Sequence, residues 1–367
     1  MQESAKGNQI RACKEHLRTL IARAELPEGA PLDEVDLRRE TGATVRAVRA
    51  ALSELAREGV IVRKRHVGTF VAGHLPEAHF PVLPKLRSVG ILTSRGQGYF
   101  TSSEYGIGIL RGIELALHQP AQVTFFTHGE RKMGLDDLPP VDVADMRRAC
   151  QGVVAVEATH SGQLNEFARG VPLVAVDFAP AAAAFDAVEI DHFQAGYLAA
   201  RHLLALGHRR VAYIGEGPLP ESTDPSWQQR LNGYIRALVE AGLPAGPDLI
   251  LDVRRSVPMV QSLLPEFHRR VRPGAYVVAN CGFVEPIVRV LSGLGVAVPN
   301  QVSLAAADSS NLKAGALEIS QVRADYEMLG RQALRLLAAR MACKAMPPVK
   351  RVQPVTFQPA QTSAAAQ

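Results

Sequence analysis

Eight short apolar segments, spaced along the chain from Arg87 onward, are the feature that most restricts its fold. They are SVGILT, AQVTFFT, GVVAVEA, PLVAVDF, RRVAYIG, PDLILDV, GAYVVAN and VSLAAAD, and stretches of helical character separate them. Strands that are apolar on both faces are typical of parallel sheets covered by helices. About 270 residues of this pattern is long for one sheet and suits two lobes. We therefore expect an α/β fold with parallel sheets in two lobes.

A different pattern precedes these strands. The segment VRAVRAALSELAREG has helical periodicity, with an apolar stripe on one face and arginines on or beside the other. We expect the stripe to face inward and to consist of Val45, Val48, Leu52 and Leu55. A helix from about Asn8 to Ala24, a second helix from Asp33 and a turn at Thr41-Gly42-Ala43 come before it, and Thr44 is placed to cap its first turn.

The basic helix is followed by a predicted β-hairpin. Its β-branched residues flank a basic tip formed by Arg63, Lys64, Arg65 and His66, and Gly68 lets the chain turn back. Six Arg or Lys but only two Glu lie between Thr44 and Val67. A helix-turn-helix with a basic wing fits the shape and charge of duplex DNA.

The composition of the chain restricts the classes of protein to which it can belong. The hydrophobic content of 47% and a formal net charge of +5 are those of a folded protein, and the charge alone does not imply a nucleic acid. We expect neither secretion nor membrane insertion, because no segment is apolar over the roughly 18 residues that cross a bilayer. The four cysteines lack metal or disulfide spacing, as is usual in a reducing cytoplasm. The predicted domains are 1–74 (winged helix-turn-helix), 75–86 (linker), 87–359 (two-lobed domain) and 360–367 (disordered tail).

Polar residues end several of the predicted strands. Ligands of open parallel sheets bind beyond the carboxyl ends of the strands, where the sequence places Asp177, Asn280 and Asp308, with Arg230 at the start of a helix. Carboxylate, amide and guanidinium groups bind neighbouring hydroxyls in paired hydrogen bonds, so the set suits a small polyhydroxylated ligand. Each residue alone is equally well explained as a turn residue or a surface charge.

Two family resemblances cover nearly the whole chain. Residues 8–73 resemble the GntR-family winged-helix domain, through GATVRAVRAALSELAREGVIVRKRHVGTFVAG. Residues 87–359 resemble the effector domain of the LacI/GalR family, which has the periplasmic-binding-protein type I fold, through LRGIE, AVEIDHFQAGYLAARHLLALGHRRVAYIG, RLNGY and VAVPNQVSLAAAD. The match depends on the order of these motifs more than on any one of them. The combination of the two domains is similar to that of the arabinose-repressor subgroup.

The resemblance implies a cytoplasmic, homodimeric, ligand-responsive transcriptional regulator without a cofactor, most simply a repressor of carbohydrate-utilisation genes. It implies DNA contacts by Thr44, Arg46, Arg49, Arg63, Lys64, Arg65, His66 and Gly68. It implies an effector cleft lined by Tyr105, Asp177, Arg230, Asn280, Asp308 and Tyr326. Many GntR proteins have Ser-Arg where this chain has Thr44-Val45, so one basic contact is replaced by valine.

Other functions remain open from sequence. Glu157, Asp177 and Asp191 could supply a glycosidase-like carboxylate pair, but this leaves the basic helix and wing unexplained. Gly215-Glu216-Gly217 lacks the third glycine of a dinucleotide loop. We expect His192, His202 and His208 to be structural rather than metal ligands. A transport-type binding protein is opposed by the winged helix, whereas an activator role is as compatible with the sequence as repression.

Overall fold

The computed structural model describes residues 2–22, 26, 32–58, 60–64, 68–71, 85–93, 98–118, 120–127, 142–156, 161–179, 183–218, 225–342 and 348–366. The chain divides into two compact units. One comprises 1–85 with 338–351, and the other comprises 86–337 with 352–367. No helix among the described residues is both long and apolar enough to cross a membrane.

The first unit contains three helices and a hairpin: α1 (Gln2–Ala22), α2 (Glu34–Thr41), α3 (Val45–Arg57), β1 (Ile61–Lys64) and β2 (Gly68–Val71). The Asp33 side chain caps α2 by accepting from the amide of Val35, and Gly42 ends that helix in the left-handed conformation, with φ 65°. The Thr44 side chain caps α3. β1 and β2 pair antiparallel. The predicted helix-turn-helix and wing strands are therefore present.

The core of this unit differs from the sequence prediction at one residue. Val48, Leu52 and Leu55 are buried, as expected, and pack with Leu17 of α1. Val45 is wrong as a member of the inward stripe, because 39% of it is exposed. It is the first residue of α3 and lies beyond the core that buries the later residues of the stripe.

Residues 88–358 form two six-stranded sheets, and all of their strand residues except Lys350 and Arg351 belong to the second unit. The sheet of the N-lobe has the order β15-β7-β6-β5-β3-β4, and that of the C-lobe has the order β16-β14-β11-β10-β8-β9. The strands of the N-lobe are β3 (Ser88–Thr93), β4 (Gln122–Thr127), β5 (Gly152–Val156), β6 (Leu173–Val176), β7 (Asp186–Ile190) and β15 (Lys350–Gln353). The strands of the C-lobe are β8 (Val211–Gly215), β9 (Ile250–Asp252), β10 (Ala275–Val278), β11 (Ser303–Ala306), β14 (Gln321–Arg323) and β16 (Thr356–Gln358).

Helices and a small hairpin complete this unit. The helices are α4 (Tyr99–Ser102), α5 (Glu104–Ala116), α6 (Val143–Ala149), α7 (Ser161–Gly170), α8 (His192–Ala205), α9 (Pro225–Glu240), α10 (Val257–Val271), α11 (Val284–Gly293) and α12 (Tyr326–Ala342). The hairpin consists of β12 (Lys313–Ala314) and β13 (Leu317–Glu318). All eight predicted apolar segments form strands, and their pairs are parallel. The expected α/β fold with parallel sheets in two lobes is confirmed.

The chain passes between the two lobes three times, from β7 to α8, from β14 to α12 and from β15 to β16. These crossings are joined by hydrogen bonds. The amide of Asp191 donates to the Gln353 carbonyl over 2.9 Å, and the Gln353 side chain donates to the Asp325 carbonyl over 2.9 Å. Gln353 therefore links all three connections.

The expected disordered tail at 360–367 is wrong for its described residues. Thr362 is fully buried, and its hydroxyl donates to the Leu304 carbonyl over 3.0 Å and accepts from the Ser320 amide over 2.9 Å. The Ala366 amide donates to the Leu206 carbonyl. The polar Ala- and Gln-rich composition suggests fraying, but backbone and hydroxyl hydrogen bonds hold the segment to the C-lobe. The predicted linker 75–86 lies outside the described residues except for its last two positions.

Candidate functional site

Four predicted cleft residues come together at the carboxyl ends of the strands. Asp177 follows β6, Asn280 and Asp308 lie just beyond β10 and β11, and Arg230 extends from α9. Asn280 donates to Asp308 Oδ2 over 2.6 Å, and Arg230 Nη2 lies 3.3 Å from Asp308 Oδ1. Arg230 Nη1 donates to the Ala279 carbonyl over 2.8 Å. The guanidinium is thus held at a fixed place beside a carboxylate, as a preorganised polar site requires.

His192 links the carboxylate from the N-lobe to this cluster. Its Nδ1 lies 3.3 Å from Arg230 Nε, and its Nε2 lies 2.8 Å from Asp177 Oδ1. Because an arginine nitrogen only donates, Nδ1 is the acceptor and Nε2 carries the proton that is donated to Asp177. A chain of hydrogen bonds therefore runs from Asp177 through His192 and Arg230 to Asp308.

The close packing of α8 and α9 explains why His192 meets Arg230. A Cβ added at Gly196 of α8 would lie 1.9 Å from the Arg230 carbonyl oxygen. One added at Gly233 of α9 would lie 2.0 Å from the Phe193 carbonyl oxygen. Only glycine allows the two helices to approach this closely. Sequence reasoning, which expects His192 to be only structural, misses this role, because the preceding strand β7 is not recognisable in the sequence.

Asp177 and Asp308 differ electrostatically. Burial would raise the pKa of Asp177, but the electrostatic effect of His192, the hydrogen bond from it, the charge of Arg230 and the amide of Ile190 together lower it below its ordinary value. Burial raises the pKa of Asp308, because it outweighs the opposing effect of Arg230. Asp177 is thus the more firmly ionised acceptor. Asp177 also has a positive φ of 60°, which an aspartate tolerates better than most residues.

Aromatic side chains surround the polar cluster. The rings of Tyr105 and Tyr326 meet edge to face with their centroids 5.0 Å apart. Tyr326 is buried and its hydroxyl donates to the Ser309 carbonyl over 2.9 Å, so it supports the loop after Asp308. Trp227, absent from the sequence prediction, lies beneath the guanidinium of Arg230 at 5.8 Å. Its position three residues before Arg230 on the same helix is the signal that would have found it.

Further polar contacts extend this cluster along the C-lobe. The guanidinium of Arg255 lies 5.2 Å from the Trp227 ring centroid and donates to Glu216 over 2.8 Å. Glu216 follows β8, the strand next to β10. Among the described residues, no group of three or more His, Cys, Asp or Glu is arranged to hold a metal ion. The arrangement offers hydrogen-bond donors, acceptors and aromatic faces.

The basic helix has the predicted residues at its surface. Arg46 is exposed, and Arg49 is exposed with its Nε 3.0 Å from Glu34 Oε2. Thr44 uses its hydroxyl as the helix cap. Arg63 and Lys64 lie in β1 and Gly68 begins β2, whereas Arg65 and His66 lie outside the described residues. Glu34 was not among the predicted residues, because a contact between two helices is not visible in the sequence.

Two family profiles match the chain. Residues 9–71 match the description "Bacterial regulatory proteins, gntR family", and residues 200–363 match "Periplasmic binding protein-like domain". The chain joins a GntR-type domain to a periplasmic-binding-protein-like domain. Both predicted resemblances are confirmed.

Characterised relatives share this arrangement over most of the chain. The arabinose metabolism transcriptional repressor of Halalkalibacterium halodurans is 26% identical over 336 residues, covering 85% of this chain and 83% of that protein. The repressor of the same name from Geobacillus stearothermophilus is 24% identical, covering 92% of each chain. These relatives are transcriptional regulators. We therefore describe this chain as a transcriptional regulator with a DNA-binding domain and a ligand-binding domain.

Solved structures confirm the fold. A structure titled as a complex of the transcriptional regulator CelR with cellobiose has a TM-score of 0.65 and 22% identity, covering 87% of this chain and 90% of that chain. A LacI family regulator from Enterococcus faecium, solved with bound ribose, has a TM-score of 0.61 and 21% identity, covering 77% of this chain and all of the other.

Proposed function

We propose that this regulator is a repressor of carbohydrate-utilisation genes whose affinity for its operator changes when a sugar or sugar derivative binds between the lobes. The observation that carries the proposal is the cluster of Asp177, Arg230, Asn280 and Asp308, joined through His192. Fixed carboxylates accept hydrogen bonds from sugar hydroxyls, while the guanidinium and amide donate to them. Relatives named for arabinose metabolism, and similar regulators solved with cellobiose or ribose, support the same ligand class.

The control of DNA binding would follow from ligand-dependent lobe closure. A homodimer would place two copies of α3 in successive major grooves, with the wings against the backbone or an adjacent minor groove. The ligand changes operator affinity only through different affinities for two lobe arrangements, typically worth about 1 to 3 kcal/mol. We place the DNA-binding domain at 1–74, the linker at 75–86 and the ligand-binding and dimerisation domain from 87 onward. We also propose a cytoplasmic location and no catalytic activity, in keeping with the role of the relatives.

A ligand screen tests the effector assignment. The full chain is titrated by calorimetry and thermal shift with pentoses, hexoses, their acids and their phosphates. We expect at least one to bind, and Asp308→Asn to weaken that binding tenfold or more, since it removes a charged acceptor of similar size. The matched control is Asp36→Asn, whose carboxylate is exposed on α2. Absence of binding by every sugar-like compound contradicts the carbohydrate assignment.

The DNA-binding residues are tested separately. Duplexes are selected from a random library with the full chain, and the selected duplex is titrated at several salt concentrations. Arg46→Ala should weaken binding markedly, because an exposed arginine of this helix is placed to contact bases or phosphates. Arg236→Ala is the control, an exposed arginine on α9. Equal affinities of the two variants would remove Arg46 from the DNA contacts.

A further inference from the structure

Val45 is an aliphatic side chain that the fold of its own domain does not use. It is the first residue of α3 and is 39% exposed, whereas Val48, Leu52 and Leu55 of the same helix are at most 1% exposed. The core of this unit is therefore complete without it. An exposed valine in this position calls for a reason other than packing within the described residues.

The neighbouring threonine does not offer its hydroxyl group to a partner outside. Thr44 Oγ1 accepts from the Ala47 amide over 3.3 Å and donates to Gln9 Oε1 over 3.3 Å. Gln9 Oε1 also accepts from the Thr44 amide, over 3.4 Å. The polar groups of this capping residue thus make contacts within the domain. The isopropyl group of Val45 therefore lies at the start of α3 beside a hydroxyl that is already engaged.

One chemical group in the DNA major groove is complementary to an exposed aliphatic side chain. The residues at the start of a recognition helix contact base edges, and there thymine presents a C5-methyl group beside its O4 acceptor, whereas the other three bases present no methyl group. The side chain of valine has no hydrogen-bonding atom to pair with a base or with phosphate. We propose, resting on the DNA-binding function proposed above, that Val45 contacts the 5-methyl group of one thymine in each operator half-site.

This assignment differs from that of the arginines nearby. Arg46 is exposed and Arg49 is paired with Glu34, and both are hydrogen-bond donors. They read acceptors on bases or phosphates, whereas Val45 discriminates by shape and by the removal of a methyl group from water. Its contribution is therefore specific to thymine and independent of salt concentration.

Removing the methyl group from DNA tests the proposal without disturbing the protein. The full chain selects duplexes from a random library, and each thymine of the selected duplex is then replaced by deoxyuridine. We expect one replacement in each half-site to weaken binding of the unaltered protein about threefold to fivefold, the effect of one buried methyl group. In Val45→Ala the same replacement should have no effect. Val35→Ala, which changes a 65% exposed valine on α2, is the matched control and should keep the full sensitivity.

The outcomes distinguish a failure of the role of Val45 from a failure of the proposed DNA-binding function. If no duplex is enriched, both the DNA-binding function and the role of Val45 are overturned. If a duplex is enriched but no thymine is sensitive to loss of its methyl group, or Val45→Ala retains the sensitivity, DNA binding stands and the role of Val45 is overturned. Since Val45 is exposed, its replacement by alanine should leave the unfolding temperature within about 2 °C.

Discussion

The hydrogen bond from Arg230 determines which ring nitrogen of His192 donates to Asp177. Arg230 Nε donates to His192 Nδ1, so Nε2 is the nitrogen that donates to Asp177 Oδ1. His192 thus orients both a carboxylate and a guanidinium of the candidate cleft, from a side chain that is itself only 1% exposed.

Replacing His192 should therefore have a large effect. His192→Leu removes the acceptor of Arg230 Nε and one of the two donors to Asp177 Oδ1, and we expect a loss of about 2 to 4 kcal/mol in the free energy of unfolding. His192→Gln, which can both donate and accept, should recover part of it. Chemical denaturation measures the loss, and imidazole ¹⁵N shifts should show that Nε2 carries a proton. A proton on Nδ1 in place of Nε2 would contradict this arrangement.

At the level of elements, the strands show what sequence could predict and what it could not. The eight apolar segments are recognisable because most of their residues are apolar on both faces of the strand. β7, with the sequence DAVEI, is not, because Asp186 and Glu189 interrupt it although the fold buries both. In the site, Asp177, Asn280 and Asp308 were predictable as strand ends. The contact of His192 with Arg230 and the exposure of Val45 depend on packing between elements, which local spacing does not reveal.

The C-terminal segment is the element that differs most from expectation, and one substitution measures its importance. Thr362→Val keeps the shape of the side chain but removes the partner of the buried Leu304 carbonyl and Ser320 amide. We expect a loss of about 1 to 3 kcal/mol in the free energy of unfolding of the ligand-binding unit. Thr356→Val, at an exposed position of β16, should change it by less than about 0.5 kcal/mol. Equal effects of the two variants would show that the segment is loosely held.

The same segment should weaken in acid. His202 Nε2 lies 2.8 Å from Ser363 Oγ, and His208 Nε2 lies 3.1 Å from the Ala364 carbonyl. Burial lowers the pKa of both histidines, and His208 further lowers that of His202. A histidine whose pKa is lower in the folded state takes up its proton more readily when unfolded. Its stability contribution is therefore intact above the unfolded value of about 6.5 and is lost as pH falls through the lower folded value.

The measurement is the unfolding temperature from pH 7.5 downward. We expect His208→Gln, which can still donate to the Ala364 carbonyl, to lose less stability in acid than the unaltered chain. His118→Gln, at an exposed site between α5 and β4, should follow the unaltered chain. A pH profile of His208→Gln that coincides with that of His118→Gln would exclude His208 as a source of the acid sensitivity.

For the ligand-binding unit as a whole, the three connections between lobes decide how a ligand in the cleft could move one lobe relative to the other. Gln353 joins these connections, through its carbonyl to Asp191 and through its side chain to Asp325. It is buried, so these hydrogen bonds are protected from water. Asp191 also caps α8 by accepting from the amide of Gln194, directly beside His192. His192, which contacts the residues of the candidate cleft, is therefore next in sequence to Asp191, which is linked to Gln353.

This arrangement predicts that Gln353 affects coupling more than binding. Gln353→Ala breaks the hydrogen bond to the Asp325 carbonyl, so the connection from β14 to α12 can move independently of the other two. A sugar that closes the lobes should then alter operator affinity less. We expect a decrease of severalfold in the ratio of duplex affinities with and without sugar, and a change of less than about threefold in sugar affinity, since coupling is a free energy separate from either binding step. Anisotropy titrations of the selected duplex, with and without a sugar found in the screen, measure this ratio. Gln358→Ala, exposed on β16, is the control, and an unchanged ratio in Gln353→Ala would show that lobe movement does not depend on this link.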